Sequence, residues 1–88
     1  MKIKEGFIKR QVGERAVVVP IGEAAKSFHG MINLNETGGE LWELLKEETD
    51  KEQMLKAMLE MYEIEPAQAQ KSRDAFLEKL REAGVLEE

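Results

Sequence analysis

The sequence predicts an α+β fold in which a three-stranded antiparallel sheet comes first and three helices follow, in the order βββααα. Two β-branched runs flank a glycine-containing break in the first third of the chain, which is typical of a β-hairpin. After residue 35 the apolar residues recur every three to four positions, which is typical of amphipathic helices. Strands that precede helices favour a small sheet with helices packed on one face. The length of 88 residues is that of one domain, spanning residues 1–88.

The first two strands form the predicted hairpin. Residues 6–12 and residues 15–20 are its strands, and Gly13-Glu14 is the turn between them. Residues 17–19 are a continuous run of valines, which is typical of a strand at the centre of a sheet. Pro20 has no N–H to donate to a neighbouring strand, so we expect the second strand to end there.

A third strand is predicted over Phe28–Leu34, after a connector at Ile21–Lys26 that contains one glycine and two alanines. Gly30 weakens this strand, because glycine has no side chain to pack and is flexible. We interpret Gly30 as a bulge or as a point where another backbone approaches closely.

The first helix has two candidate caps, Asn35 and Thr37, and Thr37 forms a capping-box pattern with Glu40. Gly38-Gly39 lies in its first turn, where each glycine costs about 1 kcal/mol relative to alanine. Such a pair favours a close packing contact or an adaptable helix start. The apolar residues that follow at helical spacing are Leu41, Trp42, Leu44 and Leu45.

The second helix also has two candidate capping boxes, Thr49 with Glu52 or Asp50 with Gln53. Its apolar residues recur at i, i+3, i+4 and i+7. They are Met54, Leu55, Met58, Leu59 and Tyr62.

The third helix begins at Pro66, which suits the first helical position, and ends before Gly84, which suits a left-handed C-terminal cap. Val85 is then expected to contact Leu80. We expect Val85 and Leu86 to fold back on the core, and Glu87-Glu88 to be loose. The predicted inner face of this helix consists of Ala69, Phe76, Leu77, Leu80 and Ala83.

The composition excludes several classes of protein. Without cysteine the chain has neither disulfides nor thiolate ligands for zinc or iron–sulfur clusters, and a single histidine offers no cluster of imidazoles for a metal. No apolar run approaches the roughly 20 residues needed to span a bilayer. The N-terminal residues MKIKEGF lack the apolar segment of a secretory signal. We therefore expect a cytoplasmic protein with no metal, no cofactor and no membrane partner.

The residues offer little for catalysis. His29 is the only side chain with an unperturbed pKa near neutrality, and Ser27 would share its face of a strand. No calcium-loop, HExxH or phosphate-loop motif is present. We interpret His29 as a surface residue or as part of a peptide-binding edge, and we expect the protein not to be an enzyme.

Charge disfavours nucleic acid as a partner. The net charge is −5, divided into +3 over residues 1–34 and −8 over residues 35–88. Strands combined with three helices are compatible with a winged helix, whose third helix would read DNA. Here that helix mixes basic and acidic residues, whereas DNA binding needs a basic face. A winged-helix nucleic-acid-binding regulator therefore stays only as the alternative function. The charged residues concerned are Lys71, Arg73, Asp74, Glu78, Lys79, Arg81 and Glu82.

Three segments carry a resemblance to a known family. Residues 10–19, RQVGERAVVV, are similar to an opening hairpin, and residues 34–45, LNETGGELWELL, match an LNxTGxxIWxLL element with leucine in place of isoleucine. Residues 76–86, FLEKLREAGVL, are similar to a closing FLxxLxxxGLL element. Together they resemble the PqqD family, peptide chaperones of pyrroloquinoline quinone biosynthesis, and more broadly the RiPP recognition elements of ribosomally made, modified peptides.

The resemblance implies a winged-helix-like fold and a non-catalytic function. Members of the family bind the leader segment of a precursor peptide and present it to a modifying enzyme, often a radical SAM protein. The leader adds as a further strand to the third strand and lies in a groove against the third helix. The implied peptide-binding residues are Phe28, His29, Gly30, Met31, Ile32 and Asn33 on the strand, and Arg73, Phe76, Leu77 and Leu80 on the helix.

The composition of the predicted edge strand is compatible with the addition of a peptide strand. No Lys or Glu between Phe28 and Leu34 blocks pairing at the predicted edge. Our hypothesis is that aliphatic leader residues contact Phe76, Leu77 or Leu80, while a leader carboxylate meets Arg73 or Lys79. The alternative for Phe76 and Leu80 is that both lie wholly in the core.

The partners implied are a precursor peptide and a separate modifying enzyme, expected to be of the radical SAM type. The motifs fit a pathway to pyrroloquinoline quinone and pathways to other modified peptides equally. An exposed edge strand also invites pairing between copies, so we expect either a monomer or a strand-mediated or domain-swapped dimer.

Overall fold

The computed structural model describes residues 1–27 and 30–88, so the sequence-based assignments of Phe28 and His29 lie outside the described residues. In chain order its elements are β1 (Lys2–Ile3), β2 (Phe7–Val12), β3 (Arg15–Pro20), α1 (Ala24–Ser27), β4 (Ile32–Leu34), α2 (Glu36–Leu44), α3 (Lys51–Met61), α4 (Pro66–Ala83) and β5 (Leu86–Glu87). The α+β prediction, with a sheet followed by three main helices, is confirmed.

The main sheet has the strand order β2-β3-β4, and both of its pairings are antiparallel. The hairpin closes at Gly13, whose φ of 64° is in the left-handed region that favours glycine. In the second pairing Val17 lies opposite Asn33. The predicted hairpin is confirmed, and β4 forms one edge of the sheet.

The third strand is shorter than predicted. Gly30 has a φ of 119°, which a strand residue does not adopt, and Met31 also lies outside the strand. The prediction that residues 30 and 31 belong to the strand is therefore wrong. The predicted connector also contains the short helix α1, which includes both of its alanines.

The helix caps resolve the alternatives that the sequence leaves open. Asn35 caps α2, because its Oδ1 accepts a hydrogen bond from the Gly38 N–H at 2.7 Å. Asp50 and Gln53 cap α3 with reciprocal side-chain-to-backbone bonds. Thr49 instead donates its hydroxyl to the Leu44 carbonyl at 2.9 Å, which ties the end of α2 to the loop before α3.

The C-terminal helix ends as predicted. Gly84 has a φ of 77°, and the N–H of Val85 donates to the Leu80 carbonyl at 3.2 Å. The expectation that Glu87-Glu88 is loose is wrong. Glu87 pairs with Lys2 in the two-stranded sheet of β1 and β5, and Glu88 forms an ion pair with Arg81 at 2.9 Å.

The core lies between the inner face of the sheet and the helices. Trp42 anchors it with an exposed fraction of 1%. Other core residues that are exposed by 1% or less are Val18, Leu41, Leu45, Met54, Met58, Ala69, Leu77, Leu80 and Val85. None of the helices in the described part of the chain has the length and apolar character needed to cross a membrane.

Candidate functional site

An open groove of about 570 Å³ lies between β4 and α4, with the start of α2 at its floor. It exists because β4 ends the sheet on this side while α4 packs beside it. The residues that line it are Arg15, Asn33, Leu34, Asn35, Thr37, Gly38, Leu41, Ser72, Ala75, Phe76 and Lys79.

The helical wall is one stripe of α4. Ser72, Ala75, Phe76 and Lys79 follow i, i+3, i+4 and i+7 spacing, which places them on one face of the helix. The small side chains of Ser72 and Ala75 leave space beside the helix. Phe76 is buried with an exposed fraction of 8%, so it forms an apolar part of the wall.

The opposite wall is the free edge of β4. Ile32 and Leu34 are buried and Asn33 between them is exposed, so the strand alternates between the core and the solvent. β3 occupies one side of β4, and no other strand among residues 1–27 and 30–88 pairs with its other side. The backbone groups on this side of β4 are therefore not paired with another strand of the described chain.

One side chain crosses the groove. The ammonium of Lys79 donates to the backbone carbonyl of Asn33 at 2.5 Å, so α4 and the edge strand are joined directly. Both residues are exposed. The Asn33 carbonyl can thus be reached from the open side of β4.

The floor depends on Gly38. A Cβ atom at this position would lie 3.2 Å from the Asn35 Oδ1 and 3.4 Å from the Leu34 Cβ. Glycine therefore lets the first turn of α2 lie close against β4 while Asn35 caps it. Leu41, on the next turn, adds buried apolar surface.

The groove is cationic although the protein is acidic. Arg15 and Lys79 line it, and none of the described residues along it is acidic. The chain as a whole has a net charge of −5. Neither cation forms an ion pair with a carboxylate of the described chain. The groove therefore offers unneutralised positive charge beside apolar surface and open backbone.

The family to which this chain belongs follows from its sequence. The family model described as Coenzyme PQQ synthesis protein D (PqqD) matches residues 15–86, which include β3, the groove-lining strand and helices, and the first residue of β5. The chain belongs to the PqqD family. No curated protein matches it significantly.

A solved structure supports the fold of this PqqD-family chain. It is "TbiB1 in Complex with the TbiA(beta) Leader Peptide", with a TM-score of 0.77 and 21% sequence identity. The match covers 99% of this chain and 95% of that one. At this identity the likeness concerns the arrangement of strands and helices.

The strand residues named from the sequence lie at or near the groove. Asn33 lines it, and Ile32 points inward with an exposed fraction of 6%. Gly30 and Met31 precede β4 and are exposed, Met31 by 60%. Met31 is thus an exposed apolar side chain next to the open edge.

The helix residues named from the sequence divide between two faces of α4. Phe76 lines the groove, but Leu77 and Leu80 have exposed fractions of 1% and 0% and lie in the core. They support the helical wall from below and have no surface to offer a ligand in this structure.

Arg73 lies outside the groove lining. It donates to the Lys51 carbonyl at the start of α3 at 3.2 Å and to Asp74 at 2.9 Å. The Arg73 guanidinium holds the pKa of Asp74 below its usual value. Its side chain has an exposed fraction of only 12%, so Arg73 connects α4 to α3 and Lys79 is the cation of α4 at the groove.

The sequence-based site omitted the groove floor and part of the helical wall, namely Arg15, Leu34, Asn35, Thr37, Gly38, Leu41, Ser72 and Ala75. Two patterns in the sequence point to some of these residues. Ser72, Ala75 and Phe76 form a second stripe with Lys79, and the paired glycines indicated a close contact at the start of α2.

Proposed function

We propose that this PqqD-family protein is a peptide-binding adaptor in the modification of a ribosomally made peptide. It binds the leader segment of the precursor as a strand added to β4 and presents the peptide to a modifying enzyme. The observation that carries this proposal is the open edge of β4 beside a groove with an apolar and cationic lining.

Strand addition suits the two walls. The backbone edge of β4 supplies hydrogen bonds that do not depend on the peptide's sequence, and the groove beside it accepts alternate side chains of the added strand. Every second side chain of the peptide faces the helical wall, where Phe76 forms the apolar part, and this favours an apolar residue at that position. In the proposal the peptide-binding segment includes residues 28–33, and the exposed side chain of Met31 extends the apolar surface beyond β4.

The comparisons support a peptide as the occupant. The family is that of Coenzyme PQQ synthesis protein D, and the similar structure TbiB1 was solved with a leader peptide. The groove of this chain lies beside an open strand edge, which is the surface that strand addition requires.

We further propose that the protein is not itself an enzyme. The groove combines apolar side chains, backbone, amide and hydroxyl groups and two cations, and this lining suits binding better than bond cleavage. The modifying enzyme is then a separate protein, in our proposal of the radical SAM type. The binding form is a monomer, because pairing of two copies through β4 would occupy the same edge.

Amide-shift NMR tests the proposal. Labelled protein is titrated with the leaders of candidate precursors, chosen among short peptides encoded near its gene. We expect shifts concentrated in residues 30–34 and in the α4 stripe from Ser72 to Lys79. Binding without shifts in these two segments contradicts the groove as the binding site, and absence of binding contradicts the adaptor function.

Duplex DNA added to the same sample is expected to cause no comparable shifts, and groove-centred shifts with DNA would favour the nucleic-acid-binding alternative.

A groove-filling variant makes the test specific. Ala75 is exposed within the groove, and Ala67 is exposed near the start of the same helix outside it. We expect Ala75→Trp to reduce leader affinity at least tenfold because the indole occupies the peptide's space, while Ala67→Trp leaves affinity unchanged. Equal affinities of the two variants would contradict the proposed site.

A further inference from the structure

We propose that Lys79 makes the groove selective for an acidic peptide strand, because its ammonium occupies the edge of β4 until a peptide carboxylate replaces the Asn33 carbonyl as its acceptor. The inference rests on the proposed function and concerns the class of peptide bound.

Lys79 holds a backbone acceptor that an added strand needs. Its ammonium lies 2.5 Å from the Asn33 carbonyl oxygen, in the middle of the three-residue strand β4. An incoming strand has to offer its own N–H to this carbonyl to form a complete ladder. Binding therefore requires Lys79 to leave or to share the oxygen.

Displacement leaves a charge without a partner in the groove. Lys79 has no carboxylate partner in the described chain, and no acidic side chain lines the groove there. A neutral peptide would break the bond to Asn33 and leave the exposed ammonium with water alone as its partner. An acidic peptide supplies a carboxylate, so the ammonium exchanges a neutral carbonyl acceptor for an ionised one. Selectivity then comes from a cost to the wrong peptide as well as a gain for the right one.

A second cation strengthens this preference. Arg15 lines the same groove and is also without a carboxylate partner among the described residues. Two unneutralised cations beside an apolar wall raise the local potential for an anionic strand. The acidic character of the remaining protein discourages that strand from binding elsewhere.

The pleat of the strand sets the spacing of the acidic residue. Ile32 and Leu34 face the core and Asn33 faces away from it. The peptide residue opposite Asn33 has its side chain on the same face as Asn33, so its two neighbours point toward the groove. One neighbour can meet Lys79 and the other Phe76. The preferred peptide therefore carries an acidic residue and a large apolar residue two positions apart.

Selection from a display library tests the preference directly. A library with a short randomised segment is selected on the wild type, on Lys79→Met and on Lys71→Met, an exposed lysine of the same helix outside the groove. A selected peptide counts as a groove binder if it does not bind the Ala75→Trp variant. We expect the wild type and Lys71→Met to enrich acidic residues two positions from an apolar one, and Lys79→Met to lose the acidic preference.

Affinities of matched peptides complete the test. One selected acidic peptide and its Asp→Asn or Glu→Gln form are titrated against each variant. The wild type is expected to prefer the acidic form about tenfold, the size of one charge-assisted hydrogen bond. Lys79→Met is expected to bind both forms equally, and the neutral form more tightly than the wild type does, because no ammonium has to be displaced. Lys79→Arg is expected to restore the acidic preference.

The outcomes separate the two proposals. If neither the wild type nor any variant recovers groove binders, the proposed function itself is contradicted. Groove binders with equal acidic content on the wild type and Lys79→Met contradict only the role of Lys79. An equal loss of affinity for both peptide forms in Lys79→Met also overturns it, because that result indicates a general contact rather than selection.

Discussion

Lys9 of β2 and Glu43 of α2 form an ion pair in which Nζ lies 2.7 Å from Oε1. The same ammonium donates to the Gly39 carbonyl at 3.2 Å, and Glu43 also pairs with Lys46 at 2.9 Å. Lys9 is largely buried, with a side-chain exposure of 18%. The outer strand of the hairpin is thereby fastened to the helix that forms the groove floor.

Removing this ion pair is expected to destabilise the protein without affecting the groove. Lys9→Met should lower the free energy of unfolding by about 1 kcal/mol, since it loses one charged and one backbone contact at a partly exposed site. Denaturant unfolding measures the change. Lys56→Met, at an exposed lysine of α3, is the control and should change stability little. Equal effects of the two substitutions would show that the Lys9 contacts contribute nothing.

The stability of the fold should fall at acidic pH in part through Glu43. Its hydrogen bond from Lys9, followed by that from Lys46, holds the pKa of Glu43 below its ordinary value of 4.5. A carboxylate with a lowered pKa in the folded state stabilises the protein above the unfolded-state pKa. That contribution is lost as the pH falls from the ordinary value through the folded-state pKa.

Denaturant unfolding between about pH 6 and pH 3 measures this dependence. Glu43→Gln should flatten the acid-side decline relative to the wild type, because its amide does not titrate. Asp74 and Glu88 also have lowered pKa values, so some decline should persist in the variant. Superimposable pH profiles of variant and wild type would contradict a role for Glu43.

Substitution of Arg73 should affect folding rather than peptide recognition. Arg73 donates to the Lys51 carbonyl at the start of α3 and lies outside the groove lining. Arg73→Met is expected to lower the free energy of unfolding by about 1 kcal/mol through loss of this bond. Peptide affinity should stay within about twofold of the wild type, a difference well under the 1.4 kcal/mol that corresponds to a tenfold change. Calorimetry well below the melting temperature measures this affinity. A tenfold loss of affinity with unchanged stability would instead place Arg73 in the recognition of the peptide.

Two glycines should respond to alanine in opposite directions. Gly84 has a φ of 77°, so Gly84→Ala should destabilise the protein by about 1 kcal/mol. Gly39 lies within α2, and an added Cβ would meet its nearest atom, the Lys9 Nζ, at an ordinary 3.8 Å. Gly39→Ala should therefore be neutral or stabilising by up to about 1 kcal/mol. Thermal unfolding of both variants gives the signs, and a stabilising Gly84→Ala would contradict the left-handed cap.

The secondary structure could be predicted where short-range patterns determine it. The hairpin of residues 6–20 needed only two β-branched runs and a glycine turn, and Pro66 and Gly84 marked the ends of α4. The prediction failed for β1 and β5, because two-residue strands carry no readable pattern and pair across more than eighty positions.

The groove could be predicted in its elements but not in all of its residues. Family resemblance and the strand order indicated β4 and α4, and Asn33 and Phe76 do line the groove. Helical periodicity also identified Leu77 and Leu80 as apolar, but it did not say that they face the core. Ser72 and Ala75 lie on one stripe with Phe76 and Lys79, but their small side chains do not mark that stripe as apolar.

The sequence by itself determined the α+β class, the two ends of α4 and the family, because these depend on residues close together in the chain or on motifs. The tertiary structure decided which cation of α4 reaches the groove. Arg73 meets a carbonyl 22 positions away on α3, and Lys79 meets one 46 positions away on β4. Six positions separate these residues on one helix, and only the packing of α4 between α3 and β4 assigns each to its neighbour.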